Sequence, residues 1–488
     1  MPFIWYYTIN MDENAVFQQQ NVPVEQNFPQ NNQPVVGIQA PPPPPPQETL
    51  VNSSPKSGFP YMTIVKLLLG VLAVVFLGIL IFAVIIPALT KNNNKKVTLT
   101  YWGLWEDSRI MQSVISDFQR QHPNITVDYS KQDIKQYRER LTTRINNGTG
   151  PDIFRFHNSW YPMFSNILAP LPNDVISNSN FKEAFYPVMQ KDLIKNGAIY
   201  GIPLHIDTLG LYINLDLFKA AGLNPPTTWE EFINDSKQLT VKDSDGKIKT
   251  SGAAMGTFDN INHAPDIISL LFAQNSVNLN NLSSTSKKVE DALKFYTYFA
   301  TDASSVWDNT LDPSQLAFTK GNLAMYFGYS WDYFAIKAAN PNLNFKIVPV
   351  PQVPQSEVNI ASYWVEGVSA KSKNQKEALL FMKFLSEKST QDKLYSEEAK
   401  TRAFGELYAR TDLADRLKDN QIVYPFIQQA KTAVSSFFID GTFDNGMNHQ
   451  MNTYLGNAVN SILNNVSPQT AVETLSQGVS QVSKQYGQ

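Results

Sequence analysis

Twenty consecutive uncharged residues, Leu67 to Ile86, divide this chain into two parts that cannot share a solvent. At about 1.5 Å per residue, a helix of that length reaches across a hydrocarbon core of about 30 Å. The run is aliphatic all round, so it has no polar face with which to lie on a surface. A transmembrane helix over residues 63–89 is therefore expected, with a buried core helix as the alternative. A cleavable leader is not expected: about sixty residues precede the run and no small-x-small pattern follows it.

Ahead of the run the chain is rich in Gln, Asn and Pro and includes six consecutive prolines, Pro41 to Pro46. It has too few apolar residues to build a core, so residues 1–62 are expected to form a disordered tail. The proline run reads as an extended linker, with a ligand for a proline-recognising groove as the alternative. The first ten residues are unusually apolar and aromatic, which leaves Met11 as an alternative start.

The remainder, after a linker at 90–96, is long enough for two globular lobes. There is no cysteine, which excludes disulfides, thiol catalysis and a lipidated cysteine anchor. The five histidines, at 122, 157, 205, 263 and 449, are scattered, so no metal and no cofactor are expected. A net charge of -3 gives no reason to expect nucleic acid. Lys56 and Lys66 precede the run and Lys91, Lys95 and Lys96 follow it, a bias that by itself would place the large domain inside.

Val97 to Tyr101 alternates as a half-buried strand and runs into Trp102-Gly-Leu-Trp105. Ile110, Met111, Val114, Ile115 and Phe118 share one helical face, ahead of Pro123. Ile125 to Tyr129 is a second strand, Tyr137 to Ile145 a second helix, and Asp152 to Phe156 a third strand. This βαβαβ order predicts a mostly parallel sheet with ligands beyond the carboxyl ends of its strands. Three segments end there: Trp102 to Asp107, His157 to Trp160, and the residues around Asp207. Further on, Thr208 to Asn214 reads as a strand and Asp216 to Ala221 as a helix ended by Gly222. Thr228-Trp-Glu-Glu231 reads as a capping box, Leu323 to Phe327 as a strand, Tyr329 to Trp331 as a helix opening, and Asn344 to Pro351 as an edge strand.

Together, Trp102-Gly-Leu-Trp105, Gly148-Thr-Gly-Pro-Asp-Ile-Phe154, Tyr200-Gly-Ile-Pro203, Tyr212-Ile-Asn-Leu-Asp-Leu-Phe218, Leu223 to Phe232 and Phe318-Thr-Lys-Gly-Asn-Leu-Ala-Met325 carry a resemblance. In this order, over residues 97–488, the chain resembles the extracellular solute-binding proteins of ABC importers, of the maltose and oligosaccharide-binding class. The resemblance implies a two-lobe α/β, periplasmic-binding-protein-like fold of class II type with a hinge between the lobes. Residues 97–206 and 365–412 would form lobe 1, and 207–364 and 413–488 lobe 2. It also implies a carbohydrate ligand, permease subunits with a separate ATPase as partners, a monomer, and a domain outside the cell membrane, overriding the lysine bias. Relatives usually have a cleaved leader or a lipidated cysteine, so here the anchoring mode departs from the pattern.

Sugars offer C–H faces to aromatic rings and hydroxyl pairs to planar amides and carboxylates. With the resemblance, this assigns ligand contacts to Trp105 and Glu106 after the first strand, with Trp102 as either contact or packing. It adds Asn158 and Ser159, whose alternative use is to cap the following helix, while His157 reads as a structural histidine. Asp207 is a candidate carboxylate whose alternative is a hinge hydrogen bond. Tyr329 and Trp331 are candidate stacking rings, Trp364 and its neighbour Tyr363 sit near the second crossover, and Phe438, Asp440 and Asn445 match more loosely. No phosphate-binding loop, nucleophile elbow or zinc-protease motif is present, so no catalytic residue and no enzyme activity are expected. The rival readings are a ligand sensor or adhesion protein, a glycan-processing enzyme, and a binding protein for a polyamine, peptide or oxyanion.

Overall fold

The computed structural model describes residues 61–81, 96–301, 305–354 and 356–487. The expected tail, its proline run and most of the linker lie outside them. The chain divides into two units, Met1–Ile79 and Leu80–Gln488. The described part of the first is the helix Tyr61–Leu80, which ends one residue past the boundary. Every residue from Leu68 to Ile81 is exposed, so the helix has aliphatic surface all round. Among the described residues no helix is long and apolar enough to cross a membrane. The expected span is thus not carried by a described helix: this one starts six residues ahead of the apolar run, with Lys66 in that stretch, and residues 82–86 lie outside the described part.

The second unit opens with the expected βαβαβ: β1 (Val97–Gly103), a helix (Ser108–Gln121), β2 (Ile125–Lys131), a helix (Tyr137–Asn146) and β3 (Ile153–His157). The first helix buries Met111, Val114, Ile115 and Phe118, the face its spacing predicts. After a small hairpin of β4 (Ile194–Lys195) and β5 (Ala198–Ile199), the chain forms β6 (Ile202–Pro203), β7 (Asp207–Thr208) and β8 (Gly210–Asn214). Then come β9 (Val241–Lys242), β10 (Ile248–Ala253), β11 (Leu323–Gly328), β12 (Phe345–Val348), β13 (Asn359–Ser362), β14 (Trp364–Val368) and β15 (Ala433–Val434).

These strands make two five-stranded sheets, β2-β1-β3-β14-β6 and β12-β8-β11-β10-β9, and a three-stranded ribbon, β15-β13-β7. β1, β2 and β3 are parallel, and β14 returns antiparallel to both β3 and β6. β12 lies at an edge, as Pro349 and Pro351 just after it predict.

The ribbon is where the chain passes between the sheets, because β7 sits between β6 of one sheet and β8 of the other, and β13 between β12 and β14. The single strand expected over Thr208 to Asn214 is therefore broken at Leu209. Gly210 lets Phe426 lie against this break: a Cβ there would lie 2.4 Å from its ring. Downstream, Asn214 accepts the N–H groups of Asp216 and Leu217 at 3.2 and 3.3 Å, Gly222 ends that helix at φ +69°, and the Thr228 capping box is present.

The first sheet is pinned by one buried cation. All five β3 residues are buried, and the middle one is Arg155. It faces Glu366 in the β3/β14 register, and its Nε donates to Glu366 Oε1 at 2.6 Å. Its Nη1 pairs with Glu106 Oε2 in the loop after β1. Burial works to raise the Glu106 carboxyl, but Arg155 outweighs it and holds the group down at about 2. Burial leaves Glu366 raised, as expected when one guanidinium serves two carboxylates. Because removing one partner leaves buried charge uncompensated, Arg155→Met is expected to cost about 3–5 kcal/mol in urea unfolding. A cost below about 1 kcal/mol would mean that the cluster does not hold the sheet together.

Candidate ligand-binding site

The first lobe presents an aromatic stack. Trp364, at the start of β14, is opposite His157 across the strands and 9% exposed. Its ring meets those of His157 at 5.1 Å, Trp160 at 5.3 Å and Trp105 at 5.5 Å, all near right angles. Trp105, 39% exposed, is the open end of this stack. Trp102 is half-buried, with the Arg144 guanidinium 5.9 Å from its ring centre.

The polar residues expected beside these rings have internal partners. Glu106 is 4% exposed and faces Arg155. The short helix Asn158–Trp160 is capped by His157, whose side chain accepts the Ser159 N–H at 3.3 Å, so neither Asn158 nor Ser159 is its cap. Instead Asn158 Nδ2 donates to Asp192 Oδ2 at 3.0 Å and Ser435 Oγ at 3.2 Å, and its Oδ1 accepts the Tyr363 N–H. Ser159 Oγ donates to Asn448 Oδ1 at 3.0 Å. Burial pushes the His157 imidazole down to about 3, so it is neutral.

Ser435 and Asn448 belong to the C-terminal segment that packs on the second lobe, where Ser269 donates to Phe438 O at 2.7 Å. Asn158 and Ser159 therefore tie the two lobes together. So does Arg138, whose Nε donates to Asp444 O. Asp207 plays a similar part in the ribbon: Oδ2 accepts the N–H of Ser330 at 2.9 Å and also its hydroxyl, and Oδ1 accepts the Thr208 N–H at 2.8 Å. Burial raises its carboxyl well above the ordinary range.

The second lobe presents a flat platform. Trp331, 40% exposed, stacks on the buried Tyr329 with ring centres 4.4 Å apart and planes 16° from parallel. The stack precedes the helix Asp332–Ala339 rather than lying inside it. Tyr329 is fixed at both ends: its hydroxyl donates to Asp266, and its N–H donates to Asp332 Oδ2 at 2.9 Å. His263 Nε2 donates to the same Asp332 oxygen at 3.0 Å, His263 Nδ1 lies 3.4 Å from Asp440 Oδ2, and its ring meets Trp331 edge-on at 6.2 Å. Burial opposes charge on His263, but Asp332 and Asp440 prevail and keep it protonated well above its ordinary range. Burial pushes Asp266 up to about 7 against the pull of His263.

His263, Asp266 and Asp332 were not among the residues expected from sequence. Pro265 with Asp266 just after His263 marks a helix start, but nothing local indicates that residue 332 will lie against it. Among the described residues no group of three or more His, Asp or Glu side chains is placed to hold a metal ion.

Residues 113–405 match the family described as bacterial extracellular solute-binding protein. The chain belongs to that family. The multiple sugar-binding protein of Streptococcus mutans is 24% identical to this solute-binding protein over 330 residues, 63% of this chain and 75% of that one. The arabinooligosaccharide-binding protein of Bacillus subtilis is 24% identical over 199 residues, 38% of this chain and 43% of its own. Among solved structures, a cyclo/maltodextrin-binding protein complexed with maltotetraose superposes with a TM-score of 0.65 at 19% identity, covering 79% of this chain and 97% of that one. An ABC substrate-binding protein from Listeria monocytogenes in complex with cycloalternan gives a TM-score of 0.62 at 18% identity, covering 80% and 100%. Two lobes in a periplasmic-binding-protein-like α/β arrangement are thus the shared fold.

The charges beneath the platform give it a pH signature. Asp266 binds its proton more tightly folded than unfolded, so its contribution to stability is complete below about pH 4 and is lost as pH rises through about 7. His263, also raised, contributes fully below about 6.5 and loses that contribution only at higher pH. Asp266→Asn should therefore flatten the fall in melting temperature between pH 4 and 7 relative to wild type. A fall as steep as in wild type would show that Asp266 ionises freely.

Proposed function

We propose that this chain is the sugar-binding component of an ABC importer, tethered outside the cell membrane, and that it takes an oligosaccharide between its lobes by hinge closure. The observation that carries this reading is the exposed Trp331 indole held parallel on the buried Tyr329 ring at 4.4 Å. A flat, preorganised ring is suited to the C–H face of a sugar and loses little freedom on binding. Trp105, braced by Trp364, offers a second ring from the other lobe. Direct contact is assigned to Trp331 and Trp105, with Tyr329 and Trp364 as their supports. Glu106, Asn158, Ser159 and Asp207 hold the rim and the crossing strands in place.

The names of the relatives support a sugar, and so does the charge distribution. A polyamine site needs carboxylates free to face the ligand, whereas Glu106, Asp207, Asp266 and Asp332 all have internal partners. In the mechanism, ligand seats on one lobe, the other closes over it, and a permease reads the closed form. The permease and its ATPase are separate chains. The segment Leu67 to Ile86 is the tether in this reading, supported by the all-round aliphatic exposure of its described part.

The test uses the full chain, which should resist alkaline carbonate extraction from membranes and dissolve in detergent. In a thermal-shift and calorimetry screen against saccharides, polyamines and peptides, a saccharide at one hundred times its dissociation constant should stabilise it by about 2.7 kcal/mol. Trp331→Ala should weaken that affinity about tenfold or more. Unchanged affinity in Trp331→Ala would contradict the assigned platform, and turnover of a glycan would contradict binding without chemistry.

A further inference from the structure

The segment from Lys400 to Tyr408 runs as a strap from the first lobe to the platform of the second. It leaves the helix Lys388–Ala399, which Lys393 Nζ ties to the helix Ser108–Gln121 through Ser113 O at 2.9 Å and Asp117 Oδ2 at 2.6 Å. Gly405 lets the strap lie against the first of these helices, since a Cβ there would sit 2.5 Å from Tyr395 O. Phe404, 2% exposed, packs on Phe334 at 4.5 Å and Tyr333 at 5.5 Å, and the Arg402 guanidinium lies 5.3 Å from the Phe334 ring centre. Both rings belong to the helix Asp332–Ala339, which follows Trp331 directly.

The far end of the strap meets the first crossing between the lobes. Leu407 O accepts the Ile206 N–H at 2.9 Å, and Tyr408 pairs with His205, two residues before Asp207. One short segment therefore touches both the crossing and the platform helix.

Beneath the strap lies a cluster with more carboxylates than cations. Glu398 is 1% exposed, and its Oε2 accepts the Glu406 N–H at 2.6 Å and lies 3.2 Å from Arg402 Nη2. Arg402 Nη1 pairs with Glu406 Oε1 at 2.8 Å. Glu398 Oε1 and Arg402 Nε are buried without a hydrogen-bond partner among the described residues. Glu106 and Tyr395 also face Glu398, and His205 Nδ1 lies 4.0 Å from Glu106 Oε1. Burial lowers the His205 imidazole, so it adds no positive charge. Glu106, Glu366, Glu398 and Glu406 thus share Arg155 and Arg402, and full ionisation would leave an excess of buried negative charge. A proton on Glu398 relieves it: burial, and after it Glu406, push that carboxyl up to about 8 against the pull of Arg402.

We infer that a proton held on Glu398 keeps the strap seated on the platform helix, so that the geometry of the two lobes in the ligand-free protein changes with pH. Glu398 binds its proton more tightly when seated, so its contribution is complete below about 4.5 and is lost as pH rises through about 8. Once ionised, Glu398 and Glu406 repel each other across one guanidinium, and hydrating them lifts Arg402 and Phe404 away from Phe334. No ligand takes part, so the inference stands apart from the sugar-binding reading.

The test is pulsed dipolar spectroscopy on the full chain in detergent without ligand, with spin labels on Lys135→Cys and Lys287→Cys, titrated from about pH 6 to about pH 9.5. The lobe-to-lobe distance distribution of wild type should change with a midpoint near 8. Glu398→Gln, which cannot ionise, should hold the low-pH distribution throughout. Phe404→Ala should show the high-pH distribution already at the acid end. Glu406→Gln removes the repelling charge and should move the midpoint down by about one pH unit, which keeps the test open where Glu398→Gln does not fold. A wild-type distribution that stays constant across the range overturns the inference. So does a Glu398→Gln protein that titrates like wild type, or an unmoved midpoint in Glu406→Gln.

Discussion

Arg155 is the group on which the first lobe depends. It is fully buried, and its two carboxylate partners lie 49 residues before it and 211 residues after it. A buried guanidinium is tolerable only if its partners are in place, so the loop after β1 and the returning strand β14 must both be in position when the sheet closes. These two segments carry Trp105 and Trp364. The ion cluster on this face of the sheet thereby fixes the aromatic stack next to it on the same face, with the charges inside and the rings at the rim.

The second lobe repeats this division of labour with different chemistry. Asp332 receives His263 and the Tyr329 backbone, and Asp266 receives the Tyr329 hydroxyl. The buried charges orient Tyr329, and Tyr329 presents Trp331. Between the lobes, Asp207 grips Ser330 from the crossing ribbon, so the platform is anchored where the chain passes between sheets. In the proposed closure, one lobe moves against the other on this base without disturbing the exposed ring.

The opening βαβαβ unit, β11 and the caps at Thr228 and Gly222 were legible in the sequence because they follow local rules of period two, period 3.6 and cap chemistry, whereas β9, β10 and β14 were not read from it. The break at Leu209 was not legible, because both pieces are apolar and only the pairing partner changes there. The aromatic residues at strand ends could be named from their positions, whereas the use of the polar ones could not. Glu106 reads as a sugar contact until a cation 49 residues away claims it, and Asp207 allows two roles that only its contact with Ser330 separates. His263, Asp332 and Asp440 come from three distant stretches, and no local pattern joins them.

The proposed closure of the two lobes over a bound sugar is directly measurable, because the sequence has no cysteine to compete with introduced labels. Spin labels on Lys135→Cys in the first lobe and Lys287→Cys in the second, both at exposed positions, report the lobe separation by pulsed dipolar spectroscopy. With a saturating saccharide identified by calorimetry, the distance distribution should shift to a shorter, narrower population. An unchanged distribution under saturating ligand would contradict hinge closure and leave a rigid binding protein in its place.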